Sequence, residues 1–134
     1  MTYLIPLLVF GFGQVLKLLI RLVQRKPLSI RNLLYGGMPS THTAIVASLA
    51  TVVGVSEGIS STTFGITLIF SLIVIYDATR LRAIVGEHSS ILNKLRADAS
   101  QPPLPETVGH TTTQVIAGIV FGIALSLLLL MWLG

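Results

Sequence analysis

The chain alternates long apolar runs with short polar segments. Residues 3 to 23, 40 to 56, 62 to 79 and 112 to 133 are dominated by Leu, Ile, Val, Ala, Phe and Gly. A helix that crosses the hydrocarbon core takes about 20 mostly apolar residues, with a range of about 17 to 25. The runs lack the alternation of barrel strands, and backbone groups in lipid must be satisfied within their own segment, so each run predicts a transmembrane α-helix. The fold class expected is an all-α membrane protein, a single domain over residues 1 to 134 built as a bundle of four transmembrane helices. Before the last span, residues 87 to 97 place Ile91, Leu92 and Leu95 at helical spacing with Asn93, Lys94 and Arg96 between them. That pattern predicts a short interfacial helix. Pro102, Pro103 and Pro105 then stop any helix before the last span begins. No internal repeat or low-complexity tract is present.

Composition agrees with a bilayer. The chain is 52% hydrophobic and 10% charged, against roughly 25% charged in a soluble domain, and its mean hydropathy is +0.85. There is no cysteine, which excludes disulfides, thiolate nucleophiles and Cys-based zinc sites. The N-terminus has neither a basic n-region nor a small-residue cleavage site, so the first segment is expected to stay.

Charge then orients the bundle. With four spans, connections 24–39 and 79–111 lie on one side of the membrane. All nine basic residues sit in or beside them: Lys17, Arg21, Arg25, Lys26, Arg31, Arg80, Arg82, Lys94 and Arg96. The opposite side, with both termini and the turn around Glu57, Gly58 and Ser60, has none. The positive-inside rule makes the basic side cytoplasmic and puts both termini outside. A net charge of +4 in a soluble chain would point to nucleic acid. Here the cations flank apolar runs, so the expected partners are membrane lipids and lipid phosphates, with no nucleic acid.

Four polar groups converge on that basic side. Lys17, Arg21 and Arg25 follow at i, i+4 and i+8 along one stripe of the first helix; snorkelling anchors are the plainer reading, weakest for the deep Lys17. Gly36-Gly37-Met38-Pro39-Ser40-Thr41-His42-Thr43 opens the second helix, and capping accounts for Pro39, Ser40 and Thr41. It does not account for His42, a titratable group in the first turn of an apolar helix. Asp77, Arg80 and Arg82 end the third helix, where Asp77 and Arg80 at i, i+3 form a self-satisfied pair, or else Arg80 or Arg82 supplies a phosphate fork and Asp77 orients a histidine or an arginine. Gly109-His110-Thr111-Thr112-Thr113-Gln114 opens the last helix, with His110 and Gln114 at hydrogen-bonding distance in sequence. Gly118, Gly122 and Ser126 follow at every fourth residue as a packing seam. His88 reads as an exposed loop residue. Two histidines among arginines suit phosphoryl transfer, one imidazole attacking phosphorus and the other protonating the leaving oxygen. No metal or other cofactor is expected, since neither His-x-x-His nor His-Glu-x-x-His occurs.

Taken in order, Lys17 with the arginines after it, Pro39-Ser40-Thr41-His42, and Gly109-His110 through Gln114 to Gly118 resemble the three motifs of the type 2 phosphatidic acid phosphatase superfamily, relatives of vanadium haloperoxidases. The likeness is greatest to its small, divergent membrane branch and spans residues 17 to 118. It implies His110 as a nucleophile forming a phosphohistidine, His42 as general acid, and Lys17, a first-helix arginine and Ser40 as phosphate ligands, without metal. Thr41 stands where the family has Gly, and Leu104 where it has its third-motif Arg, a role that passes to Arg80 or Arg82. Lys17 and Arg25 are one residue further apart than in the family. Gln114 replaces the Asp that partners the nucleophile, and a neutral amide cannot stabilise an imidazolium as a carboxylate does. Asp77, Glu87 and Glu106 are the available substitutes. The usual fold has six spans, which a homodimer of this chain would complete.

The resemblance implies a metal-independent lipid phosphatase acting on phosphatidylglycerol phosphate, phosphatidic acid or a polyprenyl pyrophosphate. A non-catalytic binder or transporter of anionic lipid headgroups is the alternative. A purely structural membrane protein is a third, and it predicts imidazoles too far apart to share one phosphate.

Overall fold

A computed structural model describes residues 2–25, 37–96 and 100–133. Lys26, Arg31 and Gly36, named above, lie outside the described residues. All regular structure among the described residues is helical. After one 3₁₀ turn at Thr2–Leu4, α1 runs over Ile5–Val23, α2 over Thr41–Glu57, and α3 over Thr62–Tyr76. A π turn at Asp77–Leu81 leads without a break into α4 at Arg82–Leu95, and α5 covers Thr112–Leu133. Side-chain oxygens cap the starts of α2 and α3. Ser40 Oγ accepts the Thr43 N–H at 3.4 Å, and Ser61 Oγ accepts the Phe64 N–H at 3.1 Å.

Three helical stretches are long and apolar enough to cross a membrane: Thr2–Val23, Thr62–Leu95 and Thr112–Leu133. The expected second span is α2, whose 17 residues reach only about 26 Å against a hydrocarbon core of about 30 Å. It lies among the others rather than beside them, touching α1, α3 and α5. Its buried residues are small or hydroxylic, namely Thr41, Thr43, Ala44, Val46, Ala47, Ser48 and Val52. Large side chains face outward instead, such as Phe10, Val15 and Leu19 on α1 and Ile69, Phe70 and Ile73 on α3. Exposed apolar surface of that extent is tolerated in a bilayer and not in water, and the chain is an integral membrane protein.

The packing fixes the helix directions. Gly13 of α1 meets Thr41, while Ile5 and Val9 join Val52 and Ala44 in one apolar cluster, so α1 and α2 are antiparallel. Ser71 Oγ donates to the Val46 carbonyl at 3.2 Å and Phe64 packs on Gly54, so α3 runs back along α2. The last helix is parallel to α2. Gly118 sits on the Ser40 carbonyl, Gly122 on the Ala44 carbonyl, and Ser126 Oγ donates to Ser48 Oγ at 2.6 Å. The four-residue seam is therefore a close helix contact, as small-residue spacing in membranes requires. This alternation brings the C-terminal ends of α1 and α3 and the N-terminal ends of α2 and α5 to one end of the molecule.

Three expectations change. The third span does not end at residue 79 and pause before a separate helix at 87–97, because Thr62–Leu95 is one helical stretch of 34 residues, about 51 Å long at 1.5 Å per residue. The π turn absorbs the polar Asp77-Ala78-Thr79-Arg80 without breaking the helix. His88 lies on an exposed face of α4, not in a loop. The first-helix stripe ends early, because α1 stops at Val23 and Arg25 takes the left-handed φ of +52° of a C-terminal cap position. Arg25 is exposed and out of line with Lys17 and Arg21.

A Cβ on Gly122 would run into the Ala44 carbonyl. Gly122→Leu is expected to destabilise the protein by about 1–3 kcal/mol through overpacking. Ser126→Ala, which removes one interhelical hydrogen bond, should cost about 0.6 kcal/mol. Equilibrium unfolding in mixed micelles measures both, and a glycine variant no less stable than the serine variant would refute the seam.

Candidate functional site

The π turn sets the site's frame. In an α-helix the Arg82 N–H would bond the Ala78 carbonyl, but here it bonds the Asp77 carbonyl, one residue further back. The Ala78 carbonyl then accepts the N–H of His110 at 3.1 Å. The chain entering α5 lies close along this stretch, with Gly109 against the Ala83 backbone and Gly86 against the Glu106 carbonyl. His110 is thereby fixed to the end of α3, and it is buried.

Its ring is oriented by the start of α5. Thr111 Oγ1 accepts the Gln114 N–H at 3.3 Å, and Gln114 Oε1 accepts the Thr111 N–H at 3.1 Å. This is a capping box, reciprocal between N-cap and N3. The Thr111-x-x-Gln114 spacing carries its signature, a signal separate from the i, i+4 pairing of His110 with Gln114. The same Oε1 faces His110 Nδ1 at 3.2 Å. Because the Thr111 N–H identifies that atom as the carbonyl oxygen, His110 Nδ1 must be the donor, and Nε2 carries the lone pair. Burial holds the His110 imidazolium below the ordinary histidine pKa of 6.5; the Lys17 and Arg82 charges push the same way, and the Gln114 hydrogen bond opposes them.

Opposite stands His42, in the first turn of α2. The two ring centroids are 6.1 Å apart with planes tilted by 52°. His42 Nδ1 is buried without a hydrogen-bond partner among the described residues. Lys17, only 3% exposed, donates to Thr41 Oγ1 at 3.3 Å, next to His42 in the chain. Ser40 and Thr43 share a 2.9 Å hydroxyl hydrogen bond beneath it, and the Ser40 N–H bonds the Gln114 carbonyl at 3.1 Å. The charges of Lys17 and Arg82 reach both imidazoles.

The arginines separate. Arg82 Nε meets Asp77 Oδ2 at 3.4 Å across the π turn, so of the two alternatives Asp77 orients an arginine rather than pairing with Arg80 at i, i+3. Arg80 is exposed. Arg21 is half-buried and lines a cavity with Lys17 and Gln114. Of the acidic substitutes for the missing Asp, Asp77 faces Arg82 and Glu106 accepts from Asn93 Nδ2 at 2.8 Å. The His110 Nδ1 partner is Gln114. The structure thus gathers His42, His110, Gln114, Lys17, Ser40, Thr41, Asp77 and Arg82 at one end of the bundle, with Arg21 beside them and Arg25 and Arg80 outside.

Comparison with known proteins gives a family and a relative. The model of a family described as the Divergent PAP2 family matches residues 1–125. The uncharacterized membrane protein YuiD of Bacillus subtilis (strain 168) is 33% identical, over 88% of this chain and 86% of its own length. No solved structure matches the chain.

The ring chemistry is directly measurable by ¹⁵N NMR of the histidines in detergent. His110 should show the Nδ1–H tautomer and a titration midpoint below 6.5, so that it is neutral at pH 7 and gains its proton only as pH falls. Gln114→Glu should move that midpoint upward, because a carboxylate favours the imidazolium. An unmoved midpoint would mean that residue 114 does not touch the ring.

Proposed function

The chain belongs to the Divergent PAP2 family of membrane proteins, and from that membership we propose that it is a metal-independent phosphatase of lipid phosphates. The observation that carries this reading is the facing pair His42 and His110, 6.1 Å apart and flanked by Lys17 and Arg82. Two rings this close lie within reach of one phosphoryl group, one by a near-attack contact of about 3–3.5 Å to phosphorus and the other by a hydrogen bond of about 2.6–3.2 Å to an oxygen. The separation weighs against a purely structural role, which required rings too far apart to share it.

The steps follow from the tautomer. His110 Nε2 uses its lone pair to attack phosphorus while the bond from phosphorus to the lipid oxygen breaks, and His42, entering as the imidazolium, gives its proton to that departing oxygen and becomes neutral. Lys17 and Arg82 meet the charge on the equatorial oxygens, and Asp77 holds the Arg82 guanidinium. Water then attacks the phosphohistidine, His42 takes a proton from it, and phosphate leaves as His110 regains its lone pair. The neutral Gln114 orients His110 but lends no charge to it, and this favours the second reading, a binder or transporter of anionic lipid headgroups.

In this reading α2 is a fourth, central span, the two basic connections are cytoplasmic, both termini are outside, and the amphipathic α4 lies at the interface. The absence of cysteine allows a direct check. Glu57→Cys should react with a membrane-impermeant maleimide from outside intact cells, and Lys94→Cys only after permeabilisation; the reverse pattern overturns the orientation.

Activity is tested by phosphate release from lipid phosphates by purified protein in detergent with EDTA. Release should survive the chelator, vanish in His110→Ala, and fall about 10²–10⁴-fold in His42→Ala. Arg82→Lys should also lose activity, since an ammonium cannot replace the bidentate fork. Binding of a lipid phosphate without turnover would establish the headgroup-binding reading instead.

A further inference from the structure

A cavity of ≈ 170 Å³ lies beside the histidine pair, between Lys17 and Arg21 of α1, the Gly37-Met38 segment and Gln114. Neither histidine lines it, nor does Arg82. Two residues belong to both places. Gln114 lines the cavity and holds His110; Lys17 lines the cavity and bonds Thr41 beside His42. The cations therefore form a series, Arg82 and Lys17 at the imidazoles, then Lys17 and Arg21 at the cavity.

The cavity wall is kept bare. Gly37 has φ of +95°, and a Cβ there would point at Arg21 Nη2, 3.9 Å away, and Lys17 Cδ, 4.0 Å away. A side chain at this position would be strained and would enter the cavity. Lys17 and Arg21 are like charges at i, i+4, an arrangement that repels, and Arg21 acts electrostatically on Lys17. Two cations on one hollow suit an anion, and neither imidazole nor Arg82 lines it.

We propose that the cavity binds a second phosphate of the same substrate, so that the headgroup carries two phosphates, one presented to His110 and the other held between Lys17 and Arg21. The inference rests on the phosphatase reading and narrows it. The shared chemistry is a phosphate adjacent to the one attacked, either the inner phosphate of a pyrophosphate or a phosphodiester neighbouring a phosphate monoester. A lipid with a lone phosphate monoester leaves the cavity without its anion.

Binding and turnover test this separately. Titrated into the purified full chain in detergent, inorganic pyrophosphate should bind at least about tenfold more tightly than inorganic phosphate, a difference of about 1.4 kcal/mol. Arg21→Gln should reduce that preference to about twofold, and Arg21→Lys should restore part of it; an unchanged thermal transition establishes that these variants fold. Equal affinities in the wild type overturn the proposal. In turnover, kcat/KM for a polyprenyl pyrophosphate or for phosphatidylglycerol phosphate should exceed that for phosphatidic acid at least about tenfold, with the ratio collapsing in Arg21→Gln through KM. Which of the two is preferred identifies the source of the second phosphate. Turnover of all three at equal kcat/KM overturns the two-phosphate headgroup and leaves the phosphatase standing. A preserved pyrophosphate preference with no turnover of any lipid supports the second-phosphate site and overturns the phosphatase alone.

Discussion

One hydrogen bond made out of α-helical register, from the Arg82 N–H to the Asp77 carbonyl, positions much of the site. It makes the Ala78 carbonyl available to His110, and that bond ties the start of α5 to the end of α3. The same wide turn lets Arg82 reach Asp77 at i, i+5, where a regular helix favours i, i+3 or i+4. One local departure thus fixes the backbone of one histidine and the pairing of the arginine nearest both. A π turn is rare and occurs mostly as a single turn within an α-helix, so its place here calls for contacts that favour it. Here the close approaches at Gly86 and Gly109 supply those contacts.

The second constraint is the central helix. In a bilayer there is no hydrophobic drive between helices, so association depends on close packing and interhelical hydrogen bonds. The small and hydroxylic residues of α2 provide both, through the Gly118 and Gly122 contacts and the Ser48–Ser126 and Ser71–Val46 hydrogen bonds. Close approach at the seam carries Ser40 and His42 toward Gln114 and His110, so the packing that holds the bundle also brings two motifs 68 positions apart in sequence, His42 to His110, into one site. The buried Lys17 is tolerated on the same terms, with Thr41 as a hydrogen-bond partner.

Much of this was legible in the sequence. Apolar runs gave the helices within one to three residues at most ends, the seam announced itself in the spacing of Gly118, Gly122 and Ser126, and the polar motifs fell on alternate helix ends. Two features were less visible. Asp77-Ala78-Thr79-Arg80 reads as a helix end because polarity changes there, yet polarity change does not break a helix; only the register shifted, and no propensity encodes that shift. Arg25 continues an i, i+4, i+8 stripe on paper, but the stripe exists only where the helix does, and α1 has already ended. The arginines could be counted from sequence but assigned to the site only from the turn that aims them.

Gln114 shows why the exchange of Asp for an amide is not a simple loss. Its side chain closes a capping box, fixes the His110 tautomer and walls the cavity, and all three use hydrogen-bond geometry rather than charge. What the amide withholds is a negative charge. Leaving the histidines aside, the three cations Lys17, Arg21 and Arg82 against the one carboxylate of Asp77 make a net charge of +2, which an Asp at position 114 would lower to +1. A phosphate monoester brings about −1.5 to −2 near neutral pH, and an adjacent phosphate adds to it. The balance of charge thus favours the more anionic headgroup, in agreement with a cavity that offers its second phosphate a place.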